Sequence, residues 1–225
     1  MSPEITILLT TLNKLTPKWQ EYHKEQLLLA ADGQPIIIIA PEPQNWAISL
    51  VDDGVANISN IYRQMLRGAK LATAPYVGIA EDDTLYPPKH FDFRPPLDTF
   101  AYNKNRFNVF AWGTPRYFWK DRMSNSTLIA PRQLLIDALE ERFAKWPNGT
   151  PVGITGELGR GNIEDKLGVS RRKSMWFETD LSVVRIDHRD GVDRLSQTKR
   201  KGMGPLKAFD IPHWGRAKDI IAKFK

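Results

Sequence analysis

The sequence predicts an α/β protein built on a mostly parallel sheet flanked by helices. Three observations predict it: "ITILLTT" (5–11), "PIIIIA" (35–40) and "YVGIA" (76–80) are continuous apolar runs rich in branched residues, and helical patterns lie between them. Runs of that kind suit strands buried on both faces, and strands alternating with helices suit parallel pairing with right-handed crossovers.

The first run is followed by Thr16 and Pro17, a good helix start, and by Trp19, Tyr22, Gln26, Leu27 and Ala30 on one stripe ending at Gly33. A polar segment separates the second strand from a helix spanning about Ser59 to Ala72, which carries Ile61, Met65, Leu66 and Ala69 on one side. The third strand runs directly into Glu81, Asp82 and Asp83. The proline-rich "YPPKHFDFRPPLD" beyond it reads as irregular. "FNVFAW" (107–112) and "STLIA" (126–130) read as strands, and Pro131 opens a helix through "RQLLIDALEERFAKW". A glycine-rich loop (147–162), a short helix "IEDKLG" and a last strand within "MWFETDLSVVRI" (175–186) follow. From His188 the chain turns polar and basic. Its organisation reads as one domain over residues 1–190, with a basic C-terminal extension over 191–225 packed on or beside it.

A chain of 225 residues with 41% apolar and 10% aromatic residues can bury a substantial core. Its 32 basic against 26 acidic residues give a net charge of +6, which favours an anionic partner. The absence of cysteine excludes disulfides, thiolate metal sites and a cysteine nucleophile. No basic segment precedes the first apolar run, and no stretch approaches the ~20 apolar residues of a membrane span. The expectation is a cytoplasmic protein without stable membrane insertion.

In parallel sheets ligands gather outside the carboxyl ends of the strands, where the three acids stand. Clustered carboxylates there suit a hard divalent cation, which favours oxygen ligands and removes their mutual repulsion. The plainer reading of an "EDD" is an acidic turn.

Four segments, in order, resemble the GT-A (Rossmann-like) fold glycosyltransferases, in the flavour of the small family-2-like enzymes of bacteriophages and bacteria. They are "TILLTTLNK", "NISNIYRQMLRGAKLATAPYVGIAEDD", "IEDKLG" and "VVRIDHRDG". The resemblance implies an inverting, metal-dependent enzyme that moves a sugar from a nucleoside-diphosphate donor, a UDP-sugar first among them, to an acceptor hydroxyl. It places Glu81 and Asp82 toward the sugar nucleotide and Asp83 on Mn²⁺ or Mg²⁺, with His188 completing the metal set and His213 as its rival. It makes Asp165 the general base with Glu164 beside it, and Glu157 and Glu164 compete for that role. Thr10, Thr11, Asn13, Asn57, Asn60 and Arg63 become candidates for nucleotide recognition. The motif departs from Asp-x-Asp, and "APEP" replaces the usual aspartate after the second strand. Arg189 and Arg194 are candidates for a diphosphate clamp.

Phage-like members also suggest a hydroxymethylated pyrimidine in duplex DNA as acceptor. Basic clusters at Arg171, Arg172 and Lys173 and at Lys199, Arg200 and Lys201 would then track the phosphates. A metal-dependent nuclease and a non-catalytic nucleic-acid-binding protein are the alternatives. Neither a phosphate loop of the G-x-x-x-x-G-K-[ST] kind nor a G-x-S-x-G elbow is present.

Overall fold

The computed structural model describes residues 4–52, 57–119, 122–151, 153–154, 156–188 and 207–225. The chain opens with β1 (Ile5–Thr10) and α1 (Pro17–Ala31), whose start is capped by the Thr16 hydroxyl and whose first residue is Pro17. β2 (Ile36–Ala40), β3 (Ile48–Val51), α2 (Ile58–Leu71) and β4 (Tyr76–Glu81) follow. After β4 come β5 (Thr84–Leu85), β6 (Thr99–Asn103), β7 (Arg106–Phe110), β8 (Tyr117–Trp119), β9 (Leu128–Pro131) and α3 (Arg132–Lys145). The C-terminal third contains α4 (Gly161–Leu167), β10 (Lys173–Phe177), β11 (Val183–Asp187), β12 (Lys207–Ala208), β13 (Asp210–Ile211), β14 (Gly215–Arg216) and α5 (Ala217–Phe224).

The main sheet has the order β10-β6-β9-β4-β1-β2-β3, parallel throughout except at β9, which runs against both neighbours. All six residues of β1 are buried because both faces of the sheet are covered. Side chains alternate across a strand. Ile5, Ile7 and Leu9 therefore pack with Leu27, Ala30 and Ala31 of α1, while Leu8 packs with Met65 and Ala69 of α2 and Leu135 and Leu139 of α3. A five-stranded sheet, β12-β8-β7-β11-β5, forms a third core with Trp19 and α5. There Phe224 meets the Trp19 ring edge-on at 4.8 Å, so residues 207–225 pack against the body of the protein. No helix among the described residues is long and apolar enough to cross a membrane.

Several elements differ from the sequence reading. β3, β6 and β8 are strands that local pattern does not announce, because "ISLV" is a half-exposed edge and "TFAYN" follows a proline-rich run. The single last strand is two, β10 in the main sheet and β11 in the smaller one. The break falls at 178–182, where the Thr179 hydroxyl accepts from Asn103 Nδ2 and donates to the Leu181 carbonyl.

β4 approaches the Phe91 ring closely at Gly78, where a Cβ would lie 2.6 Å from a ring carbon. Gly78→Ala should therefore destabilise the fold by about 1–3 kcal/mol, read as a lower urea midpoint at unchanged slope.

Candidate functional site

Parallel pairing of Thr10 with Glu81 sets the carboxyl ends of β1 and β4 side by side. The acids leave β4 there, and buried aromatic side chains fasten their backbone. Trp19 Nε1 donates to the Asp82 carbonyl at 2.8 Å, and the Glu81 N–H donates to the Tyr86 hydroxyl at 2.9 Å. His23 Nε2 lies 3.1 and 3.0 Å from the Glu81 and Thr84 carbonyls, so this nitrogen carries the proton. Burial pulls the His23 pKa down to about 4, which keeps the ring neutral in that role.

Three neighbouring carboxylates repel, by about 4 kcal/mol per pair at 4 Å and an effective dielectric near 20. Two responses relieve this. The first is protonation: burial pushes the Glu81 carboxyl up to about 7, with Arg185 pulling back and Asp83 adding to the rise. Burial pushes Asp82 to about 7 as well; Asp83 adds to it, and the Thr11 hydroxyl that donates to Asp82 opposes it. The second is countercharge from β11, whose pairing with β5 sets Arg185 opposite Thr84. The guanidinium lies 3.5 Å from both Glu81 and Asp83, and His188 Nε2 is 3.7 Å from Asp83 Oδ2.

These groups line a cavity of about 150 Å³. Thr10 and Thr11 enter it from β1, and Asn57, Asn60 and Gln64 from the start of α2. Asn57 also caps α2 by accepting from the Asn60 N–H at 2.9 Å. Opposite stand Arg122 and Glu157. Nine predicted residues thus surround one space: Thr10, Thr11, Asn57, Asn60, Glu81, Asp82, Asp83, Glu157 and His188.

The other predicted residues lie elsewhere. Asn13 adopts φ 56° and lines a neighbouring cavity. Arg63 donates to the Pro147 carbonyl at 2.5 Å and lies over the Phe143 ring. The Glu164 carboxylate is buried and accepts from the Gly159 and Arg172 N–H groups at 2.9 and 3.0 Å, which makes it a loop anchor. Asp165 is half exposed, outside the cavity lining, and paired with Arg171, which holds its carboxyl below the usual range. A carboxylate held so acidic is a weak base. His213 sits exposed in the β13–β14 turn, in the left-handed region at φ 71°. Arg189, Arg194, Lys199, Arg200 and Lys201 lie outside the described residues. Although "APEP" follows β2 without an aspartate, Asp52 follows β3, donates its N–H to the Ala40 carbonyl and accepts from Asn60 Nδ2 at 3.2 Å.

Arg185, Gln64 and Arg122 escaped the sequence reading. Arg185 had a signal, a basic residue inside the apolar run "VVRI". Glu157, read as a competitor to Asp165, is the acid that reaches the cavity. The Tyr62 hydroxyl donates to the Gly156 carbonyl at 2.7 Å and the Tyr102 hydroxyl to the Leu158 carbonyl at 2.8 Å, so buried tyrosines hold the chain on both sides of Glu157. Tyr62→Phe leaves the Gly156 carbonyl without this donor and should cost about 1 kcal/mol of stability by thermal unfolding.

No protein-family profile matches the chain, and no curated protein does. Among solved structures, the chain is similar to a glycosyltransferase involved in glycosylation of the major capsid of PBCV-1, at 13% identity and a TM-score of 0.48, covering 81% of this chain and 93% of that one. It is similar to a 2-C-methyl-D-erythritol 4-phosphate cytidylyltransferase from Thermus thermophilus, at 14% identity and 0.47, over 80% and 92% of the two chains. It is also similar to a mannosyltransferase from Pyrobaculum calidifontis in complex with GDP-Man and Mn²⁺, at 10% identity and 0.44, over 83% of this chain and 57% of that one. At these identities and scores the likeness is one of outline alone.

Proposed function

We propose that this protein is a glycosyltransferase that moves a sugar from a nucleoside-diphosphate donor to an acceptor hydroxyl. One observation carries the reading: a cavity at the carboxyl ends of β1 and β4 joins three acids to Arg185 and His188, with polar groups of α2 on its far wall. Acids suit sugar hydroxyls and a cation, while fixed positive charge suits a departing diphosphate. The start of α2 then holds the nucleoside through Asn57, Asn60 and Gln64, and Asp82 and Glu81 face the sugar. UDP-sugars are the first donors to test.

Asp83 Oδ2 and His188 Nε2, 3.7 Å apart, are the protein atoms this reading assigns to Mn²⁺ or Mg²⁺. Among the described residues no set of three His, Asp or Glu side chains forms a closed cage. This donor set fits a cation shared with phosphate oxygens and water, the usual habit of Mg²⁺. When bound, such an ion offsets charge on the departing diphosphate. Arg185 and Arg122 supply fixed positive charge at the same place, and Glu157 is placed to take the acceptor proton.

Duplex DNA as acceptor draws no support from the first basic cluster. Arg171 pairs with Asp165, Arg172 with Glu141 at 2.6 Å and Lys173 with Asp98 at 2.6 Å. Replacing Arg171 and Lys173 by Ala should leave DNA retention and its salt dependence unchanged, whereas two phosphate contacts would each contribute about −0.9 to the log–log slope. The deciding experiment incubates the protein with labelled nucleotide sugars, with and without chelator, offering saccharide, lipid, protein and hydroxymethylated-DNA acceptors. Donor turnover that depends on Asp83 supports the reading. Cleavage of DNA without sugar-nucleotide turnover would replace it with a nuclease.

A further inference from the structure

β2 and β3 are parallel neighbours, yet only residues 41–47 connect them. Parallel crossovers usually take a dozen or more residues, most often as a helix that covers the sheet. A segment this short, bent at 41–42 and again at 45–47, covers only part of the face beneath it. The uncovered part is a second cavity of about 210 Å³ beside α1.

Leu9 and Ile38 of the sheet line it, and Trp46, at the end of the crossover, contributes an indole. Gln20, Gln44 and Asn45 add side-chain amides, and Thr11 and Asp82 separate this space from the first cavity, lining both. Its electrostatics differ from those of the first cavity. The first has Lys14, Arg122 and Arg185 in its lining; the second has Lys24 alone among Lys and Arg, and Lys24 pairs with Glu21 at 3.2 Å. His23, also in the lining, is kept neutral by burial and has its Nε2 committed to backbone carbonyls. An anionic ligand would meet Asp82 with no uncompensated cation to offset it.

A neutral ligand with many hydroxyls suits this lining. Side-chain amides offer both donors and acceptors, an indole presents a flat face to ring C–H groups, and an apolar floor with a few polar groups is the usual make-up of small-molecule sites. The volume is below the ~300–1,000 Å³ of drug-sized pockets, so one ring is the natural occupant. We propose that the cavity between α1 and the 41–47 crossover is a binding subsite for a single neutral sugar unit, with Trp46 as its aromatic wall and Gln20, Gln44 and Asn45 pairing its hydroxyls. The proposal does not depend on the chemistry of the first cavity.

The test is NMR of the indole N–H groups of the whole protein, with the Trp46 signal identified by its loss in Trp46→Phe. Methyl glycosides of glucose, galactose, mannose and N-acetylglucosamine are titrated separately, with UMP and inorganic phosphate as anionic probes. A saturable shift of the Trp46 signal with at least one glycoside is expected, weakened about tenfold in Gln44→Ala, the effect of about one lost hydrogen bond. UMP should leave that signal in place. The proposal is overturned if no glycoside moves Trp46, which would mean a cavity holding water only. It is equally overturned if Gln44→Ala binds as tightly as the wild type, or if UMP or phosphate moves the signal and the glycosides do not.

Discussion

Asp83→Asn should abolish nucleotide-sugar turnover, by on the order of 10³-fold or about 4 kcal/mol in the barrier, while the protein stays folded. Asp83 lies between the neighbouring acids Glu81 and Asp82 on one side and the Arg185 guanidinium of β11 and the His188 ring just beyond it on the other. Removing its charge relieves the first interactions and loses the second. Arg185 keeps Glu81 as a partner at 3.5 Å, so no cation is stranded. Stability should therefore change by less than about 1 kcal/mol. Two readouts separate the outcomes: donor turnover, and retention of Mn²⁺ measured by calorimetry. Loss of turnover with Mn²⁺ binding intact would assign Asp83 to the sugar instead of the metal. Full activity in the presence of chelator would end its proposed role.

Glu157→Gln should lower kcat by 10²- to 10⁴-fold with little change in KM for the donor, the signature of a lost general base. Its carboxylate reaches the cavity while pairing with Arg160 at 2.9 Å, and the chain around it is pinned by the Tyr62 and Tyr102 hydroxyls and by Glu164. Asp165→Asn serves as the comparison. Because Asp165 points to Arg171 at the surface, its loss should leave kcat within about a factor of two of the wild type. The reverse pattern, with Asp165→Asn inactive and Glu157→Gln active, would return the base to Asp165 and require the 156–165 segment to rearrange when substrate binds.

Much of the cavity lining was legible because it is carried by short stretches of chain. An apolar run followed by three acids identifies a strand end, and Asn57 ahead of a helical pattern identifies a helix start. Thr10, Thr11 and the acids follow from the one rule that parallel strands present their carboxyl ends together. Local signals did not decide which of several equivalent residues faces the cavity. Glu157, Glu164 and Asp165 all lie in or beside a glycine-rich loop, and no apolar periodicity around them says which faces a cavity. That choice is made by Arg171, by the Gly159 and Arg172 N–H groups, and by two tyrosines distant in sequence.

The sequence by itself determined the α/β class, the first three buried strands with the helices α1 and α2, and the placing of an acidic triplet at the sheet's carboxyl end, since hydrophobic periodicity and capping act over a few residues. Only the tertiary structure decided that β10 and β11 belong to different sheets, that Arg185 and His188 arrive beside Asp83, and that Asp165 turns away. It also decided that a short crossover leaves a cavity beside α1. The sheet assignments, the arrival of Arg185 and His188 and the uncovered face depend on strand pairing between separate segments, and Asp165 is turned by its pairing with Arg171; the local apolar pattern encodes neither.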